Sequence, residues 1–498
     1  MNYTSTRDNS LSVSASFAIA NGISAEGGLF VPEEIPQVDA AFIAGLAPLG
    51  YAERARKILP LFLTDYTAEE LFAYTEAAYG SQFEGPAPAP VKNLHDNVNM
   101  LELWHGPTCA FKDMALQLLP HLLTGAAKRV LGGKESVILV ATSGDTGKAA
   151  LEGFKDVNGT RILVFFPNQG VSPMQKLQMT TQEGGNVGVC AIEGNFDDAQ
   201  NGVKAIFTDA AVKAKLAENN MCFSSANSIN WGRLVPQIVY YFSAYADLVA
   251  AGQIKNGDKI NFCVPTGNFG NILAGWYAKR MGLPVNKLIC ASNENDVLTE
   301  FLTTGRYNRC RTFHTTVSPS MDILISSNLE RLIFHLLGNN SDETNRLFAA
   351  LKENGEYTVS PALLQEIKVT FAAGCCNDDA TKAAIADTYK KYGYLCDTHT
   401  GVAVRVYEAY RAAGDDTATV VVSTASPYKF SKAVLGAVTD GNFTAENEFD
   451  MVSELEAITG LPAPAPLKGL KGKAPRFTGV CAKAQMEAEV YKLLRIGE

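Results

Sequence analysis

SVILVATSGDTGKAA, at residues 136–150, and NFCVPTGNFGN, at residues 261–271, share one design. In each, an apolar run rich in β-branched residues ends in a loop of small polar residues, and a segment with helical spacing follows. An apolar run without polar alternation indicates a strand that is buried on both faces, as in a parallel sheet. The two stretches therefore predict an α/β fold in which helices connect parallel strands by right-handed crossovers.

The same alternation of apolar runs and helical segments continues along the chain on both sides of these two stretches. Five further apolar runs, each adjoining a helical segment or a turn, are predicted strands: RILVFFP (161–167), NVGVCAIEG (186–194), MCFSSAN (221–227), KLICASN (287–293) and ATVVVSTAS (418–426). The 498 residues exceed the size of one ordinary core, so we expect more than one domain.

Changes in composition predict the domain boundaries. The Pro-rich stretch EGPAPAPV (84–91) separates a small N-terminal domain from the alternating strands and helices. We assign the N-terminal domain to 1–95, a large domain to 96–135 and 225–460, a small α/β domain to 136–224 and a C-terminal tail to 461–498. Residues from about 328 to 374 interrupt the alternation and are predicted to be a helical insertion in the large domain.

Composition argues against several classes of function. The net charge of −9 has no long basic run, which disfavours nucleic acid and anionic membrane as partners. No apolar run reaches the ~20 residues that span a bilayer, and the N-terminus has no apolar signal region. The ten cysteines contain no Cys-x-x-Cys pair and the six histidines no His-Glu-x-x-His motif, so we expect no metal. Free thiols and the absence of a signal predict a cytoplasmic protein.

The loop PTGNFGN (265–271) is a candidate phosphate site. Gly267 and Gly270 allow backbone N–H groups to approach an anion, and the start of the following helix adds favourable partial charge. Asn268 and Asn271 can supply further donors. The alternative, an ordinary Gly-rich turn, stays open on the loop alone, because small glycine clusters are common.

The loop ATSGDTGKAA (141–150) contains Gly-Lys after a strand but does not fit a nucleotide-binding P-loop. Thr142 stands where the first glycine is required, and Ala149 replaces the Ser or Thr that binds Mg²⁺. The polar residues that remain are Ser143, Gly144, Asp145 and Thr146. They are predicted to bind a second anion the size of a carboxylate, or simply to cap the helix.

Lys112 is the candidate catalytic residue. In CAFKDMA it is bracketed by apolar residues on both sides, whereas most lysines are exposed. Burial would lower the pKa of its amine and favour the neutral form that attacks a carbonyl. The alternative is a lysine at a helix start whose chain reaches past its neighbours to solvent. In STASP (423–427), Thr424 offers a neutral hydroxyl at a strand end, or is a turn residue before Pro427.

Taken together, the motifs resemble the threonine synthase family, in its longer form, nearly from end to end. The stretches that carry the resemblance are YTSTRD (3–8), GGLFVPEEIP (27–36), LELWHGPTCAFKD (101–113), SGDTG (143–147), FFPNQGVSPMQKLQM (165–179), SSANSINWGRLVPQ (224–237), PTGNFGN (265–271), SPSMDI (318–323), DTHTGVAV (397–404) and STASPYKF (423–430). HGPTCAFKD, SGDTG and PTGNFGN in this order form a specific set, although no one of them would suffice.

The resemblance implies the fold-type-II architecture of pyridoxal-phosphate (PLP) enzymes, with two open, twisted, mostly parallel sheets flanked by helices. It implies conversion of O-phospho-L-homoserine and water into L-threonine and phosphate. Lys112 would bond covalently to PLP. The implied cofactor contacts are Gly267, Asn268, Phe269 and Asn271 at the phosphate, Thr424 at the pyridine nitrogen and Asp145 near the phenolic oxygen. Ser143, Gly144 and Thr146 would receive the substrate carboxylate.

Two points remain open within this resemblance. Many relatives have His where this chain has Ser426, which puts any contact made by that His in doubt. Arg233 is our candidate for the substrate phosphate because a guanidinium matches phosphate oxygens, the alternative being a surface arginine paired with an acid. The rival functions are a threonine dehydratase, an inactive relative that only binds ligands, and a P-loop protein. The expected assembly is a monomer or a homodimer.

Overall fold

The computed structural model describes residues 1–142 and 144–496. Each of the seven predicted strands is present in this part of the chain. The strands run as follows: β1 (Tyr3–Ser5), β2 (Phe30–Pro32), β3 (Val91–His95), β4 (Val98–Glu102), β5 (Glu135–Ala141), β6 (Thr160–Pro167), β7 (Val187–Glu193), β8 (Met221–Ser224), β9 (Ile260–Pro265), β10 (Val285–Ser292), β11 (Arg306–Asn308), β12 (Glu356–Thr358), β13 (Phe371–Cys375), β14 (Thr419–Ser423) and β15 (Val480–Ala482).

Helices separate most of these strands. They are α1 (Ala15–Asn21), α2 (Ala40–Ala44), α3 (Tyr51–Ile58), α4 (Ala68–Ala78), α5 (Asp113–Leu116), α6 (Leu119–Val130), α7 (Asp145–Phe154), α8 (Pro173–Thr180), α9 (Phe196–Thr208), α10 (Ala210–Glu218), α11 (Trp231–Ala250), α12 (Gly270–Met281), α13 (Val297–Thr304), α14 (Leu329–Leu336), α15 (Ser341–Asn354), α16 (Pro361–Thr370), α17 (Asp378–Tyr392), α18 (Thr398–Ala412), α19 (Ser431–Val438), α20 (Glu448–Thr459), α21 (Ala465–Lys468) and α22 (Met486–Leu494). Short 3-10 helices occupy Leu59–Leu61, Pro319–Met321, Pro427–Phe430 and Lys483–Gln485.

Two sheets form the framework, as the fold class predicts. The larger has the order β13-β10-β9-β14-β4-β3, and only the edge pair β3–β4 is antiparallel. The smaller has the order β15-β7-β6-β5-β8 and is parallel throughout. Parallel strands end at one edge of a sheet, so the loops after neighbouring strands meet there.

This edge of the larger sheet brings three of the predicted motifs together. β9, β14 and β4 are consecutive neighbours, and they are followed by the GNFGN loop, the STAS loop and the segment that leads to Lys112. Sequence reasoning missed β3 and β4. The hairpin signal is present, because Asp96 and Asn97 form a turn between runs of strand-forming residues.

The long helix α11 lies at the centre of the core. Every residue from Trp231 to Ala246 is buried, polar ones included. A helix that is apolar on nearly all sides must be covered on all sides, and α11 packs against α3, α5 and α12. Its first turn carries Arg233 into the protein interior.

The proposed domain boundaries stay predictions, but the secondary structure inside three of the segments is clear. The 1–95 segment contains the β1–β2 pair and helices α1 to α4, and α4 begins with a capping box of Thr67 and Glu70. The 328–374 segment contains α14 to α16 together with β12, and β13 begins within it. In the tail, β15 joins the smaller sheet beside β7.

Among the described residues, no helix is long and apolar enough to cross a bilayer. In the same part of the chain, no cluster of three or more His, Cys, Asp or Glu side chains could hold a metal ion.

Candidate active site

Lys112 is placed by a short antiparallel contact between two loops. The Phe111 N–H donates to the Thr424 carbonyl at 2.8 Å, and the Ser426 N–H donates to the Cys109 carbonyl at 3.0 Å. These bonds join the segment after β4 to the loop after β14. Lys112 directly precedes α5 and is only 9% exposed, so its side chain does not reach into solvent.

Asp113 fixes the turn that precedes Lys112. Its carboxylate accepts from the Thr108 N–H at 2.8 Å and from the Thr108 hydroxyl at 2.6 Å. Burial raises the pKa of Asp113 to about 6, although these bonds oppose the rise. Gly106 has to be glycine here, because a Cβ at that position would lie 2.6 Å from the Asp113 carboxylate.

The Lys112 amine lies among charged groups. Its Nζ is 3.9 Å from Asp145 Oδ2 and 3.4 Å from Ser320 Oγ. Burial, together with the charges of Lys429 and Arg233, lowers the pKa of Lys112 to about 8 against the opposing effect of Asp145. A substantial fraction of the amine is therefore neutral near pH 7–8.

Lys429 is the site residue that sequence reasoning missed. Its side chain is fully buried, and its Nζ lies 3.1 Å from Asp145 Oδ1 and donates to the Thr108 carbonyl at 2.8 Å. The quoted motif STASPYKF contains it, but no local pattern separates this lysine from a surface lysine. Its partner Asp145 begins α7, which follows β5 of the smaller sheet.

Asp145 stays ionised although it is buried. Burial by itself would raise the pKa of its carboxyl, but Lys429 and Lys112 outweigh that effect and hold it well below its usual range. The Gln175 amide also donates to its Oδ1 at 2.9 Å. The carboxylate is thus a fixed negative charge between two lysines.

The SGDTG loop is shaped by the residue before it. The Thr142 hydroxyl accepts from the N–H groups of Gly144 and Gly147, both at 3.0 Å, and so caps the start of α7. Gly144 has a φ of 152°, and a Cβ there would lie 2.5 Å from the Gln175 side chain. Thr146 is half-buried in the first turn. The predicted carboxylate contact Ser143 lies outside the described residues.

The GNFGN loop packs closely against the 318–321 segment. A Cβ on Gly267 would lie 2.8 Å from the Ser320 carbonyl oxygen, so only glycine fits. Phe269 has a left-handed φ of 62° at the start of α12. The Asn268 carbonyl accepts from the Asn328 N–H at 3.1 Å, while Asn268 as a whole is exposed.

Asn271 has one satisfied end and one unsatisfied end. Its Oδ1 accepts from the Tyr240 hydroxyl at 2.6 Å and from the Tyr241 hydroxyl at 2.8 Å. Its Nδ2 is buried and has no hydrogen-bond partner among the described residues. Because a buried donor without a partner is costly, this amide fits a loop that holds a bound phosphate.

Thr424 and Ser426 lie in the buried contact that places Lys112, with exposures of 5% and 0%. In the part of the chain that the structure describes, the Ser426 hydroxyl has no hydrogen-bond partner. Ser426 thus leaves a buried polar atom unsatisfied in this part of the chain. Thr424 neighbours Lys112 along the chain contact made by the Phe111 N–H.

Arg233 is buried and is not a surface arginine. It is 3% exposed, and its Nη1 donates to the Ala226 carbonyl at 2.6 Å. Its Nε has no partner within the described residues, and no carboxylate there pairs with it. Burial lowers the pKa of Arg233 to about 10. The surface alternative for this residue is therefore wrong.

The buried amine, the ionised aspartate and the glycine-rich loop at a strand end define a class of enzyme. Three family models match the chain: "Threonine synthase N terminus" over residues 2–79, "Pyridoxal-phosphate dependent enzyme" over 81–356 and "Threonine synthase, C-terminal" over 400–488. The fold and site are those of a PLP-dependent enzyme of fold type II, and the cofactor is pyridoxal 5'-phosphate.

Threonine synthases of other organisms are similar to this chain over most of its length. Threonine synthase of Pseudomonas aeruginosa is 41% identical, over 87% of this chain and 90% of that protein. The crystal structure of PLP-bound threonine synthase from Brucella melitensis has a TM-score of 0.89 and 38% identity, over all of both chains. The chain belongs to the threonine synthase family. It is also 41% identical to human threonine synthase-like 1 over 90% of this chain, but it spans only 62% of that protein's length.

Proposed function

We propose that the protein converts O-phospho-L-homoserine and water into L-threonine and phosphate, with PLP bound to Lys112. The observation that carries this proposal is the buried Lys112 amine beside the ionised Asp145, within a chain that matches threonine synthases nearly throughout. Lys112 is the group that touches the reacting atoms.

The residues at the site fit the cofactor. Asn271 offers a buried N–H donor, and the 267–271 loop lies at a helix start where an anion is favoured. We assign the cofactor phosphate to Gly267, Asn268, Phe269 and Asn271. PLP, when bound, supplies an electron sink for carbanion chemistry.

Thr424 and Asp145 would tune the two ends of the cofactor ring. Thr424 is proposed to face the pyridine nitrogen, where a neutral hydroxyl does not force protonation as a carboxylate would. Asp145 is proposed to lie near the phenolic oxygen. Lys429 would keep Asp145 negatively charged throughout the reaction.

Lys112 is proposed to move protons at the substrate. Once the substrate amine has displaced it, the Lys112 amine is the natural base for the protons on Cα and Cβ. Burial and the surrounding charges hold the pKa of Lys112 near the pH at which an enzyme works, which suits both removal and return of a proton. The phosphate would leave from Cγ, and water would add at Cβ.

Arg233 and the SGDTG loop are proposed to hold the two ends of the substrate. The carboxylate is assigned to Ser143, Gly144 and Thr146 of the SGDTG motif. Arg233 has an unpaired Nε and no acidic partner in the described chain, which favours it for a phosphate dianion. Lys148 in α7 is the alternative for that phosphate, but its amine pairs with Glu152 at 2.8 Å.

Phosphate release from O-phospho-L-homoserine tests the proposal. A threonine dehydratase would instead deaminate L-threonine or L-serine without needing a phosphate, and an inactive relative would do neither. Borohydride reduction of the yellow holoenzyme followed by peptide mapping should place the cofactor on Lys112. Turnover of hydroxy amino acids in place of O-phosphohomoserine would contradict the assignment.

The proposed setting is a reducing compartment, the cytoplasm, with a small-molecule substrate and neither nucleic acid nor membrane as partner. All ten cysteines lie in the described part of the chain, and all are free thiols. The assembly is proposed to be a monomer or a homodimer, which sedimentation of the purified protein distinguishes.

A further inference from the structure

The motifs SPSMDI and DTHTGVAV have no role in the function proposed above. In the structure the two motifs contact each other next to the Lys112 amine. The Ser320 hydroxyl is the hydrogen-bond partner of the Lys112 amine, at 3.4 Å, and the carbonyl of the same residue packs against Gly267 of the phosphate loop. Ser320 therefore touches both parts of the cofactor site.

His399 holds the backbone of Ser320. The Ser320 N–H donates to His399 Nε2 at 3.2 Å. A nitrogen that accepts a hydrogen bond carries no proton, so the neutral ring has its proton on Nδ1. The His399 Nδ1–H then donates a hydrogen bond to Asp397 Oδ2, which lies 2.7 Å from Nδ1.

The support for Ser320 is buried and rigid. His399 is 4% exposed and Asp397 is 0% exposed. Asp397 also accepts from the Thr400 and His399 N–H groups at the start of α18, so its position is fixed by a helix. The ring of Phe430 packs edge-on against His399, with centroids 4.8 Å apart. The chain of contacts runs Asp397, His399, Ser320 N–H, then Ser320 Oγ to Lys112 Nζ.

We infer that Ser320 is a further catalytic residue, which orients the Lys112 amine through its hydroxyl, and that His399 and Asp397 are positioning residues that hold Ser320. The inference deepens the proposed role of Lys112 and rests on it. The hydroxyl accepts from the ammonium form of Lys112 and can donate to the neutral form. The amine keeps one direction in both states, while its proton remains free to pass to and from the substrate.

This arrangement suits a base that is released and recaptured in every cycle. A lysine side chain has four rotatable bonds, so an amine without a fixed partner would sample many positions. A hydrogen bond between the amine and the hydroxyl of Ser320, whose backbone is fixed by His399, restricts that freedom at the reacting nitrogen. Geometry of this kind raises the rate of the chemical step more than it strengthens substrate binding.

The test compares Ser320→Ala with Ser320→Thr, which keeps a hydroxyl, and with Thr315→Ala, which removes an exposed hydroxyl from the same segment. In the holoenzyme, Ser320→Ala should lower kcat about tenfold or more, the effect expected of one lost bond to a charged group. KM should change less than about threefold, because Ser320 is assigned to the lysine. Ser320→Thr should recover most of the loss, and Thr315→Ala should match the wild type.

A second readout needs no turnover and no substrate. The pH midpoint for acetylation of Lys112 is measured by mass spectrometry in the full-length protein freed of PLP. Removing the acceptor of the ammonium form should lower this midpoint by about 0.5–1 pH unit. The charged groups around the amine are Asp145, Lys429, Arg233 and Asp113, and the substitution changes none of them.

His399 tests the positioning role. His399→Leu should reproduce the lower midpoint, whereas His399→Gln, which keeps an acceptor near the place of Nε2, should stay closer to the wild type. Wild-type kcat and an unshifted midpoint in Ser320→Ala would overturn the inference. The midpoint does not depend on which substrate is turned over, so a failure of the proposed reaction would be seen separately, in the phosphate-release assay.

Discussion

Replacing Lys429 by Met removes one buried charge and nearly preserves the side-chain volume. Lys429 and Asp145 are buried to 0% and 5% side-chain exposure, and the two charges lie 3.1 Å apart. Loss of one partner of a buried ion pair costs about 3–5 kcal/mol, because the other charge stays buried. Asp145 keeps Gln175 at 2.9 Å and Lys112 at 3.9 Å, so we expect a value near 3 kcal/mol at pH 7.

The pH dependence of that loss has a defined sign. The folded pKa of Asp145 lies below its unfolded value near 4, so its contribution to stability is complete above about pH 4 and is lost as the pH falls through the folded value. Without Lys429, the folded pKa of Asp145 rises. The difference in stability between wild type and Lys429→Met should therefore be largest near pH 7 and shrink in acid.

The same substitution should change the state of Lys112. Lys429 is one of the charges that lower the pKa of Lys112 to about 8, so its removal should raise that pKa. Less of the amine is then neutral at pH 7.5. The acid limb of kcat, which reports the enzyme–substrate complex in which the Lys112 amine is free, should move to higher pH. The acetylation midpoint of Lys112 in the PLP-free protein should move in the same direction.

Urea unfolding at several pH values measures the stability, and the control is Lys432→Met, which removes an exposed lysine from the same segment. That control should change stability by less than about 0.5 kcal/mol. A double-mutant cycle with Asp145→Asn isolates the pair. An exposed ion pair contributes less than about 1 kcal/mol to the free energy of unfolding. A loss below that value for Lys429→Met, together with an unchanged acetylation midpoint of Lys112, would refute the reasoning.

Three further substitutions test the remaining site residues. Lys112→Ala should abolish phosphate release from O-phosphohomoserine, and activity within about tenfold of wild type, ~1.4 kcal/mol in barrier, would contradict the assignment. Asn271→Asp keeps the acceptor for the hydroxyls of Tyr240 and Tyr241 but removes the Nδ2 donor, so PLP affinity in a titration should fall at least about tenfold. An unchanged affinity would mean that the loop is only a turn. Arg233→Ala should reduce kcat/KM on O-phosphohomoserine by a factor that corresponds to roughly 2–5 kcal/mol of lost transition-state stabilisation, and it should leave the cofactor spectrum unchanged. An equal loss on a slow elimination from L-serine, if the wild type shows one, would indicate a structural arginine.

Much of the framework could be predicted from local sequence. Short apolar runs rich in β-branched residues and bounded by turn residues favour covered strands, and all seven predicted strands are present. The loops that follow several of them contain the candidate ligand-binding residues. The hairpin of β3 and β4 was missed because its strands are short and its edge strand is partly exposed, which weakens the apolar pattern. The particular roles of Thr424 and Asp145 came from the family resemblance and not from the residues alone.

The amino-acid sequence by itself determined the α/β class, the loops at the strand ends and the apolar bracket that singles out Lys112, because each is a property of neighbouring residues. Only the tertiary structure decided which charges surround that amine. Asp145, Ser320 and Lys429 come from distant segments, and their distances to one another depend on how two sheets and their loops pack. The pKa of a buried group is set by such distances and by the removal of water, and neither quantity is written in any local stretch of the chain.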